Sequence, residues 1–456
     1  MHKSTTSKRK LPDTWLVVFF ILVVIAILTW IVPSGSFDYE TIDIDGTARK
    51  VAIAGSYHEI SKSEVSATGL LGLFASLYEG CVSAADIIFV IMTCAATFGV
   101  IVKTGAFHAF IGRVVQKNGS RSLILIPVLM LVFGLGGSLF GMLSEFYGFY
   151  PLIVGLMMAL GYDAMTGFAT IALGEYIGFM AATLNPYTVA VAQSIAGVQL
   201  YSGIGYRAVC FVVLMGAAVA YLMLYARKVR RKPELSVVYG DSYTFTWRHT
   251  LILLDVLATL VILMMGMIRW KWGYKELCGL FIIMSAVAAL IDKWSPNDYC
   301  QEMLAGIRSV VWGCILTGLA KGIIVIMNHA QIMDTIIYVL GNLLEKAPSA
   351  ISAQLMLVAH TLINFLIPSG SGQAAATMPI MAPLADVLGV SRQVACLTFQ
   401  FGDGLSNLLW PTCGIVIICG LGDVRYDRWL KWFGKLFLIL FAAQMVLVEI
   451  AVLTGF

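Results

Sequence analysis

The sequence predicts an all-α protein that crosses a membrane many times, and three observations support this fold class. Of the 456 residues, 59% are hydrophobic and 12% are charged. Soluble domains carry roughly 25% charged residues, so a soluble fold of this composition could not cover its surface with polar groups. Several apolar runs approach the length of about 20 residues that spans the hydrocarbon core of a bilayer. Two further apolar regions, 122–196 and 351–420, are interrupted by glycine, proline and polar residues that a lipid-facing helix does not need.

The candidate spans and the charges between them predict the topology. The apolar runs lie at about 14–33, 83–103, 122–140, 207–226, 250–268, 277–292, 309–327 and 430–454. Basic residues cluster before the first run and at 227–232, and the positive-inside rule places both clusters in the cytoplasm. The segment 34–65 is mostly acidic and is expected on the outer side. The first run is longer than a signal-peptide core of about 7–15 residues, so we expect a membrane helix with a cytoplasmic N-terminus.

The two interrupted regions resemble each other, which predicts a duplication. An offset of 228 residues (379 − 151) brings Pro151 onto Pro379 and Glu175 onto Asp403. Corresponding broken segments in two halves indicate a transporter whose binding site lies near the bilayer midplane. The predicted parts are 1–79 (tail, first membrane helix and external segment), 80–226 (first repeat), 227–304 (cytoplasmic basic loop and scaffold helices) and 305–456 (second repeat).

Each repeat contains a polar tip between two apolar arms too short to be separate spans, and this predicts a re-entrant hairpin. The hairpins are expected near 134–150 and 362–383. A helix that starts at such a tip offers backbone amides and a positive dipole end to a substrate carboxylate. The alternative is a glycine-rich surface for helix packing. The candidate substrate-binding residues at the tips are Ser144, Glu145, Ser369, Gly370, Ser371, Gly372 and Gln373.

A second pair of interruptions follows the tips and predicts two broken helices. One break lies at Asn185-Pro186 and the other between Asn407 and Pro411. Because proline lacks an N–H group, it leaves a carbonyl free to coordinate a cation or an amine together with nearby side chains. The alternative is an ordinary proline kink. The candidate substrate-binding residues at the breaks are Asn185, Thr188, Asn407 and Thr412.

Charged residues inside the interrupted regions are candidates for binding a coupling ion or a charged substrate. Glu145, Glu175 and Asp403 lie in apolar surroundings, where a charge is costly and usually marks a transport pathway. Each carboxylate could instead form a structural pair with a nearby donor. Lys321 lies within an apolar run and could pair with a carboxylate or meet an anionic substrate. Snorkelling of its side chain to the interface is the alternative.

Several function classes lack support in the sequence. The basic clusters flank apolar helices, whereas nucleic-acid binding needs a basic patch on a soluble face. No phosphate-binding loop, His-Glu-x-x-His helix or nucleophile elbow is present, so we predict that the protein is not an enzyme. Histidines and cysteines lack the spacing of metal ligands. We therefore expect no metal and no cofactor, apart from a possible coupling ion, Na⁺ or H⁺.

The run from Ser369 to Pro379, Ser-Gly-Ser-Gly-Gln-Ala-Ala-Ala-Thr-Met-Pro, is long enough to be a specific family motif. In this run the chain resembles the YfcC-type carriers, a family of basic amino acid antiporters related to four-carbon dicarboxylate carriers. Further matches, in order along the chain, are Leu11-Pro-Asp-Thr14, Ile31-Val-Pro33, Gly141-Met142, Ile177-Gly-Phe179, Asn185-Pro186, Val191-Ala-Gln-Ser-Ile-Ala-Gly197, Arg392-Gln-Val394, Phe399-Gln-Phe-Gly-Asp-Gly404 and Pro411-Thr412. The resemblance covers essentially the whole chain.

This resemblance implies a fold and a mechanism that spacing alone does not show. The fold would be the inverted-repeat ion-transporter fold, with two re-entrant hairpins and two broken helices, working by an elevator movement in a homodimer. Members lie in bacterial inner membranes and include arginine–ornithine exchangers. At the first tip relatives often have Gly-Met-Gly-Glu-Glu, whereas this chain has Gly141-Met-Leu-Ser-Glu145. Glu175 also departs from the family, because a neutral polar residue is expected there.

The sequence thus predicts a secondary transporter, either an antiporter or an ion-coupled symporter. Its predicted substrate is a small amino acid, first of all a basic one such as arginine or ornithine. The nearest alternative is a carrier of four-carbon dicarboxylates or other organic anions, for which Lys321 and the tip dipoles would form the anion site. A channel or membrane sensor without coupled transport is the alternative from another class. The predicted partners are the small-molecule substrate, membrane lipid and a second copy of the chain.

Overall fold

The computed structural model describes residues 14–44, 47–107, 109, 110, 113, 122–231, 245–270, 272–346, 348 and 351–456. The predicted basic cluster at Lys3, Lys8, Arg9 and Lys10 lies outside these residues, as do Leu11-Pro-Asp13 and the part of the basic loop from 232 to 244. The helices are α1 (Thr14–Ile31), α2 (Leu70–Ser83), α3 (Ala85–Lys103), α4 (Leu125–Leu135), α5 (Phe149–Ala159), α6 (Ala164–Met180), α7 (Val189–Ile195), α8 (Ile204–Val229), α9 (Trp247–Trp270), α10 (Tyr274–Ile291), α11 (Pro296–His329), α12 (Met333–Glu345), α13 (Ser352–Leu366), α14 (Gly370–Val387), α15 (Arg392–Ser406), α16 (Ile415–Leu421) and α17 (Tyr426–Leu453).

The mostly helical fold and the multiple candidate membrane spans confirm the predicted class of protein. Within the described residues, six helical stretches are long and apolar enough to cross a membrane. They are Ala85–Lys103, Ser122–Phe140, Ile204–Val229, Tyr274–Ile291, Pro296–His329 and Tyr426–Leu453. The remaining two predicted runs form α1 and α9.

The predicted external segment forms strands, which the sequence analysis did not anticipate. Strands β1 (Ser34–Ser36) and β4 (His58–Ile60) pair antiparallel, as do β2 (Tyr39–Ile44) and β3 (Thr47–Ala52). The register pairs Ile44 with Thr47, so Asp45-Gly46 connects β2 and β3. Asp-Gly is a strong hairpin signal, because both residues tolerate positive φ angles. This dipeptide could therefore have predicted the hairpin.

Polar contacts attach these strands to the helix α12. The carboxylate of Asp334 accepts hydrogen bonds from the Phe37 amide at 3.1 Å and from the Tyr39 hydroxyl at 2.8 Å. The hydroxyl of Ser34 donates to the carbonyl of Ala330 at 2.7 Å, just before α12. The strands β1 and β2 are thus held at the N-terminal end of this helix.

The two interrupted regions, each taken with the long helix that follows it, contain the same order of helices and breaks. The helices α4, α5, α6, α7 and α8 correspond in this order to α13, α14, α15, α16 and α17. Asp163 caps α6 by accepting from the Thr166 amide at 2.9 Å, and Ser391 caps α15 by accepting from the Val394 amide at 3.1 Å. These caps lie 228 residues apart (391 − 163), the offset found in the sequence. The inverted relation of the two regions stays a prediction.

The helices α6 and α15 lie at the centre of the molecule. Fifteen of the 17 residues of α6 and 13 of the 15 residues of α15 are buried. A helix that is covered on every side cannot face lipid, so these two helices form the interior of the bundle. Both end in a break, and these breaks position the candidate site.

Candidate substrate site

An internal cavity lies where the two polar tips, the two breaks and α11 meet. Its volume is about 440 Å³, within the range of small-molecule sites in proteins. Nine predicted site residues line it: Ser144, Glu145, Thr188, Lys321, Ser369, Gly370, Ser371, Asn407 and Thr412. The structure therefore gathers residues that lie more than 250 positions apart in the sequence around one space. Their predicted roles in binding stay predictions.

The first tip is a sharp turn that places Glu145 on the cavity wall. After α4 a π-helical turn, Gly136–Phe140, leads into Gly141, whose φ angle is 69°. This left-handed conformation favours glycine. Beyond the turn the carboxylate of Glu145 accepts a hydrogen bond from the Leu143 amide at 3.0 Å. The tip thus folds back on itself and holds the acidic group at the cavity.

The second tip is the start of a helix that points at the cavity. The helix α13 ends at Leu366, and the side chain of Ser369 caps α14 by accepting from the Gly372 amide at 3.3 Å. Ser369, Gly370 and Ser371 all line the cavity. The first amides of an 18-residue helix therefore face it, together with the positive end of the helix dipole. Such an end binds carboxylates and other anions.

Asp403 lies directly behind the second tip in the last turn of α15. It is fully buried, and neither of its carboxylate oxygens has a hydrogen-bond partner among the described residues. A Cβ atom built on Gly370 would lie 3.1 Å from Oδ2 of Asp403 and 2.5 Å from Cγ2 of Thr188. The buried hydroxyl of Thr188 also lacks a hydrogen-bond partner within the described ranges. The acid of one broken helix and the hydroxyl of the other break therefore meet at the tip.

Two asparagine side chains form hydrogen bonds at the break after α15. Asn364 of α13 donates from Nδ2 to the carbonyl of Asp403 at 2.9 Å and to Oγ of Ser406 at 2.8 Å. Asn407 donates from Nδ2 to the same carbonyl at 2.9 Å. Both amides bind one backbone oxygen, the carbonyl of Asp403, which also accepts from the Asn407 backbone amide at 3.3 Å. They therefore reinforce the pairing of a carbonyl at a buried helix end. Asn364 is a supporting residue that the list of candidates omitted, although its place in the interrupted region was a signal.

Asn185 and Glu175 belong to the first broken helix but do not line the cavity. Oδ1 of Asn185 accepts from the Tyr187 amide at 2.9 Å, and a Cβ atom on Gly141 would lie 2.5 Å from this oxygen. Asn185 therefore supports the first tip from behind. Glu175 accepts a hydrogen bond from the hydroxyl of Tyr150 at 2.6 Å in the packed interior.

Three other predicted residues also lie outside the cavity lining. Gln373 is buried and donates from Nε2 to the carbonyl of His360 at 2.9 Å, which ties the second tip to α13. Gly372 supplies the amide that Ser369 caps. Asp403 is separated from the cavity by Gly370. The sequence pattern identified the tip, but it could not tell which face of the tip each side chain occupies.

The lining carries one charge of each sign. Among the described residues that line the cavity, Glu145 is the only acid and Lys321 is the only base. Glu145 belongs to the first tip, whereas Lys321 belongs to the long helix α11. A cavity with both charges and a helix N-terminus suits a molecule that itself carries a carboxylate and an amine.

Aromatic residues supply much of the remaining wall, and the sequence analysis did not identify them. They are Tyr147, Tyr176, Phe179, Tyr187, Trp272 and Tyr274. Tyr147 follows the first tip and Tyr187 follows the first break, whereas Tyr176 and Phe179 precede that break within α6. Trp272 and Tyr274 come from the turn between α9 and α10, and nothing local in the sequence connects that turn with the tips.

A bundle of apolar spans around an internal polar cavity, with broken helices at its wall, defines a membrane transporter. The sequence profile of the C4-dicarboxylate anaerobic carrier family, DcuC, matches residues 11–453, and the chain belongs to this family. The resemblance to YfcC-type carriers is confirmed as well. The Escherichia coli (strain K12) protein YfcC is 32% identical, across 99% of this chain and 98% of its own. Its name describes it provisionally as a basic amino acid antiporter.

Two further comparisons extend over nearly the whole chain. A protein of Haemophilus influenzae is 26% identical, across 96% of this chain and 97% of its own, and its name states no function. The solved structure of Neisseria gonorrhoeae MtrF covers 98% of this chain and 96% of its own, with 15% identity and a TM-score of 0.46. MtrF is described as illuminating a class of antimetabolite efflux pumps.

Proposed function

We propose that this protein is a secondary transporter that moves a small amino acid across a bacterial inner membrane, with basic amino acids such as arginine and ornithine as its first substrates. One observation carries this proposal: Glu145, Lys321 and the N-terminal end of α14 share one cavity of about 440 Å³. An amino acid brings a carboxylate for the helix end and Lys321, and an amine or guanidinium for Glu145. The provisional name of YfcC supports a basic substrate.

The proposed movement of the site is supported by the elements that build it. The second tip contacts Thr188 and Asp403 through Gly370, and the first tip contacts Asn185 through Gly141. Lys321 instead belongs to α11, which packs against α2 and α3. In the proposed elevator mechanism the tips and broken helices carry the substrate past α11, so Lys321 contacts it on one side of the membrane only. The working unit in this proposal is a homodimer.

Asp403 is the proposed site of ion coupling. Its buried carboxylate lacks a hydrogen-bond partner within the described part of the chain, and such a group is stabilised by binding H⁺ or Na⁺. We expect Asp403→Asn to abolish uptake driven by an ion gradient while exchange between equal substrate pools continues. Uptake by this variant at the wild-type rate under an imposed gradient would exclude Asp403 from coupling.

The family's description favours a second candidate substrate, a four-carbon dicarboxylate. Lys321 and the N-terminus of α14 are the two groups that would bind its carboxylates. In this case Glu145 would face an anion, which raises the free energy of the bound state. The two substrate classes therefore predict opposite effects of neutralising Glu145.

Counterflow into proteoliposomes distinguishes these functions. Vesicles are preloaded with unlabelled arginine, ornithine, alanine or succinate, and entry of the labelled compound is followed. We expect entry with a basic amino acid, and we expect Glu145→Gln to weaken it at least tenfold. Glu64→Gln is the matched control, at an exposed position in the segment 34–65 that contains the strands β1 to β4, here called the β segment. Exchange of succinate that Glu145→Gln leaves intact or improves would establish the dicarboxylate carrier instead.

A further inference from the structure

The aromatic wall of the cavity provides a second kind of cation recognition. Trp272 and Tyr274 line the cavity at the α9–α10 turn, and Tyr274 lies close to Ser144 of the first tip. Among the described lining residues the one acid is Glu145, and it already accepts a hydrogen bond from the Leu143 amide. Lys321 lies in the same space and weakens the attraction of the cavity for a second cation. A cationic substrate therefore needs an attraction that adds no further negative charge.

Trp272 is fixed in position by the turn that carries it. Its amide donates to the carbonyl of Gly266 at 3.2 Å. A Cβ atom on Gly266 would lie 2.1 Å from Cε3 of the indole, so the ring lies directly on the glycine. The ring of Trp270 stands beside it, with 5.4 Å between centroids. An aromatic ring that is already ordered loses little conformational entropy when a ligand stacks on it.

We propose that Trp272, assisted by Tyr274, binds the cationic end of the substrate through its ring face and so makes the cavity selective for cationic amino acids. This inference rests on the proposed function and names the residues that set its substrate class. Ring faces attract cations electrostatically, tryptophan most strongly, and a planar guanidinium stacks on them especially well. A ring face repels the substrate carboxylate less than a second acidic side chain would. The carboxylate end of the amino acid can therefore still bind in the same cavity.

The test measures binding of arginine, ornithine and citrulline to the purified full chain. Citrulline has nearly the shape of arginine but carries no side-chain charge. We expect Trp272→Leu to weaken arginine binding about 2- to 30-fold, which corresponds to the usual strength of a cation–π contact, and to change citrulline binding less than twofold. Trp272→Phe should give an intermediate loss. Trp247→Leu, at an exposed tryptophan outside the cavity, should change neither.

Two further measurements keep the inference testable if Trp272→Leu folds poorly. Gly266→Ala keeps the tryptophan but moves its ring, because the added Cβ atom would overlap the indole. This variant should therefore also lower the ratio of arginine to citrulline affinity. Fluorinated tryptophans incorporated at position 272 should weaken arginine binding stepwise with each added fluorine. Equal losses for arginine and citrulline, or no trend with fluorination, would overturn the role of Trp272 while leaving amino acid transport intact. A wild-type protein that binds no cationic amino acid refutes the proposed function itself.

Discussion

Replacing Gly370 with alanine should impair transport more than folding. A Cβ atom at this position would lie 2.5 Å from Cγ2 of Thr188 and 3.1 Å from Oδ2 of Asp403. Overpacking of this kind costs about 1–3 kcal/mol, whereas alanine gains about 1 kcal/mol over glycine within a helix. The net cost is about 0–2 kcal/mol. If the tip yields and the whole cost appears in substrate binding, the apparent KM rises up to about 30-fold.

The assay is counterflow in proteoliposomes with the substrate found for the wild type, together with thermal unfolding of the purified protein. The matched control is Gly420→Ala in α16, where a Cβ atom would meet nothing within 4 Å. We expect the apparent KM to rise for Gly370→Ala alone, and both variants to unfold within a few degrees of the wild type. A wild-type KM for Gly370→Ala would show that the tip does not need the close approach, and the site geometry would then be wrong.

Two other substitutions test the turn at the first tip and the attachment of the β segment. Gly141→Ala should destabilise the protein by about 1–2 kcal/mol, because the φ angle of 69° at this position disfavours a side chain. Thermal unfolding checks this, and we expect a lower unfolding temperature than that of the control variant Gly216→Ala. Asp334→Ala should expose the β segment to added protease, and cleavage no faster than in the wild type would contradict this. Burial and then the charge of Asp334 raise the pKa of Tyr39 above its ordinary value of 10.0. The hydrogen bond from Tyr39 is therefore fully present below pH 10.0 and is lost only as the pH rises past the raised pKa.

The sequence predicted the helical elements well, because a helix that faces lipid needs a long run of apolar residues, and such runs are easily identified. Apolar runs such as 83–103 and 277–292 became helices within a few residues of the predicted bounds. The tips were also visible, since the run from Ser369 to Gly372 has no use in a lipid-facing helix. The strands of the β segment were not predicted, because its acidic composition indicated only that it lies outside the membrane, although Asp45-Gly46 favours a hairpin.

The composition of the cavity was harder to predict, because side-chain direction depends on packing between distant elements. Gln373 and Glu175 stood out as polar residues in apolar surroundings, yet both point into the packed interior, toward His360 and Tyr150. Trp272 lies in a short turn with no polar signal and reaches the cavity because α10 packs against α3, which in turn packs against α11. The sequence pattern thus located the breaks, whereas packing between distant helices determines which side chains line the cavity.

The β segment couples the second tip to the surface of the protein. Phe37, Ala52 and Ile337 form a small apolar cluster that Ile367 and Ile380 on either side of the tip complete. If the tip moves relative to α12, this cluster must open and expose apolar surface to water. The activation barrier for transport would then include a heat-capacity change, because hydration of apolar surface has that signature. Arrhenius plots of the transport rate would curve, and polar substitutions at Phe37 would straighten them without touching the cavity.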